Sequence, residues 1–321
     1  MTLTAKQWLE NRFQGRVRFM EPMARHTSLG VGGPADAVVW PADAADVSEL
    51  VQWLSRREIG FCVVGGGTNL LVSDEGIRGV VICMSRCLNR IIRSETHAGM
   101  VEITAGAGLN FQKLCRHAVS NGLSGMQFAA GIPGSVGGAV RMNAGTRIGA
   151  VEQVLRRVRV MKSDGAIRQI DRNDLVFQYR RTFFNRTKAP DAQPPIILEA
   201  CFGLQPSDSE TLEKEITDLL KDRRNRQPTG VRSAGCFFKN PPGGRSAGEL
   251  IETAGLKGLR VGGAEVSLRH ANFIVNRNHA TANDVLELMK TVQDRVLRWH
   301  GILLDTEVRI IGTEAYSKKS L

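Results

Sequence analysis

The 321-residue chain is 42% hydrophobic and 23% charged, the balance of a globular protein with enough length for a large core and two or three domains. No apolar run nears the roughly 20 residues of a membrane helix, and the N-terminus lacks the continuous apolar core of a signal peptide. No membrane partner and a cytoplasmic location are therefore expected. The net charge of +11 favours anionic partners, but only 6% of residues are aromatic, so stretches such as Lys221-x-Arg223-Arg224-x-Arg226 lack the stacking groups of a nucleic-acid interface. Nucleotide phosphates would exploit the same field, and much of it reads as solvated surface. The six cysteines have no metal-ligand spacing or histidine partners, so no metal is expected and the thiols read as reduced.

In chain order, Asp36–Trp40 reads as a strand. Asp43 is placed to cap a helix whose Val47, Leu50, Val51 and Leu54 share one face. Gly60 ends that helix, and the apolar run Phe61–Val64 delivers a strand into Gly65-Gly66-Gly67-Thr68-Asn69-Leu70. A second lobe is expected to start at the strand Val80–Cys83, followed by the alternating strand Met100–Thr104 and a helix marked by Phe111, Leu114 and Ala118.

Residues 125 to 145 form the longest stretch of small residues, with Gly131, Gly134, Gly137 and Gly138 spaced to give positive-φ turns. Convergent N–H groups in such turns suit an anion. One loop of this kind reads more readily as packing between layers. Two in one chain point to an extended, phosphate-containing cofactor, with a dinucleotide as the natural candidate. Neither loop ends in Gly-Lys-Ser/Thr or fits Gly-x-Gly-x-x-Gly, which excludes a Walker loop and leaves a Rossmann domain without support.

Further on, Ser163-Asp164-Gly165 sits between Val154–Met161 and Ala166–Ile170 as a hairpin signal, and Ile196–Leu204 adds a strand. Pro206-Ser207-Asp208 reads as a linker before a helix from Ser209 to about Arg226, with Leu212, Ile216, Leu219 and Leu220 on one face. Thr281 and Asp284 form a capping-box start to a helix with Val285, Leu288, Met289, Val292, Val296 and Trp299 as its buried stripe, stopped by Gly301. The last strand is expected over Asp305–Gly312, with a polar tail at 313–321.

Several stretches together resemble the UDP-N-acetylenolpyruvoylglucosamine reductase family, over about Met23 to Gly312. They are Gly65–Leu70, Ala130–Ala139, Met142-Asn143-Ala144-Gly145, Tyr179-Arg180, Gly235-Cys236-Phe237-Phe238-Lys239-Asn240-Pro241 and Val266–Asn272. The resemblance is to the shorter subgroup, which lacks a tyrosine-bearing loop. It implies an α+β fold: a two-lobed FAD-binding domain of the vanillyl-alcohol-oxidase type over 1–206, with lobes at about 1–79 and 80–206. A substrate-binding α+β domain would follow over 207–312.

The same resemblance implies bound FAD, NADPH as reductant and a UDP-sugar substrate, in a monomer. Gly65, Gly66, Gly67, Thr68, Asn69 and Leu70 would hold FAD together with Gly131, Ile132, Pro133, Gly134, Ser135, Gly137, Gly138 and Ala139. Arg180 and Glu307 would be catalytic, while Tyr179, Lys239, Asn240 and His270 would contact substrate. Cys236 stands where the family has a serine proton donor. A thiol of ordinary acidity is a stronger acid than a hydroxyl, so the role stays possible and the residue is expected to react with alkylating reagents.

Each of the three catalytic assignments has a plainer alternative: a strand-end cation for Arg180, a solvent-facing carboxylate paired with Arg309 for Glu307, an inert packing thiol for Cys236. Two other functions stay open at this stage. An oxygen-using oxidase shares the flavin domain, although Gly65–Leu70 lacks the histidine by which many tether FAD; a nucleic-acid binder rests on charge alone.

Overall fold

The computed structural model describes residues 1–97, 99–187 and 194–312, so the expected tail at 313–321 lies outside the described residues. The first lobe is a four-stranded sheet in the order Arg16–Pro22, Pro34–Trp40, Ile77–Cys83, Phe61–Val64. The last three strands run parallel and the first pairs antiparallel with Pro34–Trp40. The helix Ala44–Arg56 lays Val47, Leu50, Val51 and Leu54 on this sheet, and Asp43 caps it by accepting the Asp46 N–H, as the sequence predicts.

The lobe boundary differs from the one expected. Ile77–Cys83 is an inner strand of the first sheet, so a break between residues 79 and 80 would cut through it. The reason is the parallel crossover: Phe61–Val64 and Ile77–Cys83 are adjacent in space although a glycine loop and the strand Leu70–Val72 separate them in sequence.

The second lobe is an antiparallel sheet in the order Ile167–Asp171, Leu155–Met161, Ile196–Pro206, Met100–Gly106, Ile91–His97. The helices Phe111–Ser120 and Val136–Arg141 cover its inner side around Phe111, Phe128, Val136 and Phe202. The helix Ser209–Arg226, expected to open the third domain, instead lays Ile216, Leu219 and Leu220 on this core. Pro206-Ser207-Asp208 is therefore a turn within the second lobe's packing rather than a domain linker.

The C-terminal unit is a four-stranded antiparallel sheet, Arg232–Cys236, Phe273–Asn276, Ala264–Val266, Arg260–Val261, packed under the helix Ala282–His300. Thr281 and Asp284 make the expected capping box, and Gly301 closes the helix in a left-handed conformation with φ 69. Trp299 does not join the buried stripe. It is 72% exposed, because the helix's last turn runs past the core that Val285, Leu288, Val292 and Val296 enter. The final strand is also shorter than expected, Arg309–Ile311 only, and pairs parallel with Leu70–Val72 of the first lobe.

Asp74 fastens these units further. Its carboxylate accepts the Ala282 and Asn283 N–H groups at 2.8 and 2.9 Å, satisfying two orphan donors at the start of a helix 208 residues away. Asp74→Ala is expected to lower unfolding free energy by about 0.5–1 kcal/mol, the lower part of the range for a lost N-cap, because Asp74 is exposed. Urea unfolding of the FAD-loaded protein checks it; an unchanged midpoint would contradict the assignment.

Candidate active site

Both glycine-rich loops come together. A Cβ built on Gly66 would lie 2.8 Å from the Gly134 Cα, one on Gly65 would overlap Ser135 Oγ, and one on Gly134 would lie 2.9 Å from Thr68 Oγ1. Gly134 itself has φ 113, where side-chain-bearing residues are strained. The glycines are thus needed first for loop-to-loop contact. The result is two apposed loops of mostly bare backbone over Gly65–Thr68 and Gly131–Ser135, in which Gly66 and Pro133 are exposed and Gly67 and Ser135 are buried, with Leu70 opening the next strand. Such a bare-backbone cradle fits the diphosphate of a dinucleotide.

Gly137, Gly138 and Ala139 lie in the short helix that follows. There Gly137 approaches Ala107 and Ala139 is buried, so two of the three serve packing. Asn69 has a different task from the rest of its loop. Its Nδ2 donates to the Glu307 carbonyl at 3.1 Å, and its own carbonyl accepts the Arg309 N–H at 3.0 Å.

Arg180 occupies the tip of a tight hairpin between Val176–Gln178 and Arg181–Phe183, with φ 61. A non-glycine residue held there is the kind of local strain that structures retain at working sites. Its Nη1 donates to the Gly145 carbonyl at 2.9 Å, and its guanidinium lies 5.1 Å from the ring centroid of Tyr179, which is exposed. Arg180 Nε stands 2.8 Å from Glu307 Oε1, yet its N–H makes no aligned hydrogen bond, so the contact is a Coulombic pair. Glu307 is therefore partnered by Arg180 and faces inward; the solvent-facing arrangement with Arg309 is not what forms.

Cys236 joins this pair through a β-bulge. Ser233 aligns with Val275 and Cys236 with Phe273, so the strand Arg232–Cys236 carries one extra residue, and Gly235 supplies the positive φ of 80. Bulges of this kind re-aim a side chain. Burial pushes the Cys236 thiol up to about 12, with the Glu307 charge adding to the rise and Arg180 and Arg223 opposing it. Burial likewise raises the Glu307 carboxyl, against the pull of Arg180 and Lys239. The thiol form of Cys236 is thus favoured.

Arg223 is the site residue the sequence reading missed. Its stem packs on Gly131 and its Nη1 reaches the Ala130 carbonyl at 3.3 Å. Burial lowers its pKa, the neighbouring Arg180 charge adds to this, and Cys236 opposes it. The signal was present: Arg223 falls four residues after Leu219 and three after Leu220, a cation on the apolar face of its helix.

The other expected substrate contacts divide. Lys239 reaches the site, its charge acting on Glu307 while its N–H bonds the Asp305 carbonyl. Asn240 is exposed and spends its Oδ1 on the Ala247 N–H, at the start of the helix Ala247–Thr253. His270 accepts the Asn272 N–H through Nδ1 and stacks edge-on with Phe273, with burial and then Lys257 lowering its pKa. These are structural contacts. Among the described residues no cluster suits a metal ion.

Comparison with known proteins agrees with this geometry. Residues 35–171 match the FAD binding domain family model, and residues 227–311 match the C-terminal domain of UDP-N-acetylenolpyruvoylglucosamine reductase. The second match begins just after the helix Ser209–Arg226, consistent with that helix packing on the second lobe. A UDP-N-acetylenolpyruvoylglucosamine reductase of Desulfosudis oleivorans is 49% identical over 307 residues, covering 96% of this chain and 98% of the relative. One from Bacillus subtilis is 38% identical over 95% of this chain and 97% of the relative. The crystal structure of the reductase from Thermus caldophilus superimposes with a TM-score of 0.78 at 36% identity, covering 93% of this chain and all of that one. The paired glycine loops, the Arg180–Glu307 pair and these relatives place the chain in the UDP-N-acetylenolpyruvoylglucosamine reductase family, FAD-containing oxidoreductases of peptidoglycan precursor synthesis.

Proposed function

We propose that the protein uses NADPH to reduce the enolpyruvyl ether of UDP-N-acetylenolpyruvoylglucosamine to the lactyl ether of UDP-N-acetylmuramate. The observation that carries the reading is the 2.8 Å Arg180–Glu307 pair, tied to the first glycine loop where Asn69 donates to the Glu307 carbonyl. FAD, which Gly65–Thr68 and Gly131–Ser135 would hold, would supply to C3 of the enolpyruvyl group the hydride equivalent taken from NADPH. The remaining work falls to the chain's own side chains.

Arg180 and Arg223 place two cations where the substrate carboxylate and the negative charge developing beside it would lie. Cys236 delivers its proton to C2. Glu307 lies on the far side of that charge and, through its pair with Arg180, keeps the guanidinium aimed. Lys239 adds a further cation at the rim, suited to the substrate's phosphates.

The test follows the flavin absorbance: NADPH should bleach it, and adding the enolpyruvyl substrate without oxygen should restore it. Recovery with oxygen but not with substrate would make the chain an oxidase instead. Gly66→Val and Gly134→Val are expected to give protein without flavin colour, because each forces the two loops apart. Retention of a full FAD complement by both variants would overturn the cradle.

A further inference from the structure

Arg180 and Glu307 arrive at their contact from distant parts of the chain, and neither is held by a large sheet. The Arg180 hairpin has three residues on each side, and two-stranded hairpins are marginal alone. The segment Val140–Gly145 grips it at three points. Thr182 Oγ1 donates to the Val140 carbonyl at 2.6 Å, and Arg180 Nη1 donates to the Gly145 carbonyl at 2.9 Å. Between them Asn143 Nδ2 donates to the Gln178 carbonyl and to Glu152 Oε2, both at 3.2 Å, while its Oδ1 accepts the Glu152 N–H at 3.0 Å.

Asn143 is 6% exposed and sits at φ 39, a left-handed conformation that asparagine tolerates better than most side chains. Its neighbour Met142 extends this grip toward Glu307. Asn69 Nδ2 lies 3.8 Å from the Met142 sulfur and 3.1 Å from the Glu307 carbonyl. The circuit runs from Glu307 through Asn69, Met142-Asn143 and Gln178 to Arg180, and closes at the 2.8 Å ion pair.

We propose that Asn143 and Asn69 are positioning residues whose carboxamides clamp the Arg180–Glu307 pair from its two sides. The Met142–Gly145 motif then serves the catalytic charges rather than the cofactor alone. The inference rests on the role given above to Arg180 and Glu307, since a clamp matters only if the pair it holds does chemistry.

Asn143→Gly deletes the carboxamide while keeping the backbone conformation. In the FAD-loaded enzyme it should retain flavin absorbance and NADPH-driven bleaching, while recovery of absorbance on adding substrate slows about tenfold to a hundredfold. Asn143→Asp, equal in size but without the donor to Gln178, should act in the same direction. The deciding readout is a double-mutant cycle. In an Arg180→Ala background Asn143→Gly should slow the substrate step no further, whereas a merely structural role would add its effect again.

Wild-type recovery in both Asn143 variants, additive effects in the cycle, or loss of FAD from both variants would each overturn the clamp. If Arg180→Ala alone recovers at the wild-type rate, the reading of the active site falls and takes the clamp with it. A slow Arg180→Ala beside fast Asn143 variants removes the clamp only.

Discussion

Cys236→Ala is expected to bleach normally with NADPH and to recover its flavin absorbance with substrate about 10²–10⁴-fold more slowly, the usual loss when a general acid is removed. Under the proposed mechanism only the substrate step takes a proton from Cys236, so the two half-reactions should separate. Cys236→Ser should recover much of the lost rate. A hydroxyl at this position is also protonated at neutral pH and is smaller than the thiol, so it can donate from the same bulge.

The same environment alters the expectation for alkylation. With a pKa of about 12, thiolate at pH 8 amounts to a fraction on the order of 10⁻⁴, so iodoacetamide should inactivate slowly. Inactivation should quicken about tenfold per pH unit up to that pKa, because the thiolate is the nucleophile. Stopped-flow absorbance on the three proteins, with alkylation followed from pH 7 to 10, checks both parts. A Cys236→Ala enzyme that reduces substrate at the wild-type rate would return the residue to packing.

Local features of the chain were legible wherever a residue type acts on its own neighbourhood. Asp43, Thr281 with Asp284, and Gly301 begin or end helices where the sequence places them, because caps depend on a few adjacent backbone groups. The glycine loops were legible for a related reason, since bare backbone is a composition signal. What failed required knowing which distant segment lies alongside. Ile77–Cys83 has the same apolar pattern whichever sheet it joins, and only its parallel pairing with residues 35–39 and 61–64 decides. Trp299 keeps the helical period but overruns the core, which periodicity alone does not reveal.

The active site shows the same division. Arg180, Cys236 and Glu307 were found as motif residues, and the structure gathers them. The bulge at Gly235 that aims Cys236 depends on pairing with Phe273, 37 residues away, and the pairing of Glu307 with Arg180 rather than Arg309 joins residues 127 apart. Arg223 was obscured by its basic neighbours, Arg224 and Arg226, which are exposed and carry the ordinary surface pattern. Its helical phase relative to Leu219 and Leu220 was the physical clue that separates it from them.

Arg180→Lys should lower the substrate step by about ten- to a hundredfold, the worth of one or more hydrogen bonds to a charged group, while flavin reduction by NADPH changes little. Arginine at this position does two jobs with one planar group. Its Nη1 is tied to the Gly145 carbonyl and its Nε edge faces Glu307, which fixes the guanidinium plane and leaves the outer edge for a carboxylate. A lysine ammonium keeps the charge but is a single point on a flexible stem. It can satisfy Gly145 or Glu307, and it presents no second parallel donor to the substrate.

Arg180→Ala goes further, because the arginine charge is what opposes the burial-driven rise of the Glu307 carboxyl. Without it Glu307 should titrate at higher pH, so any loss tied to its ionisation moves to higher pH, while Lys should hold that position nearer the wild type. Rapid-mixing measurements of both half-reactions across pH 5 to 9 on the two variants test this. If lysine and alanine variants slow both half-reactions equally and slightly, with no shift in the pH profile, Arg180 is only a hairpin-tip cation tying itself to Gly145.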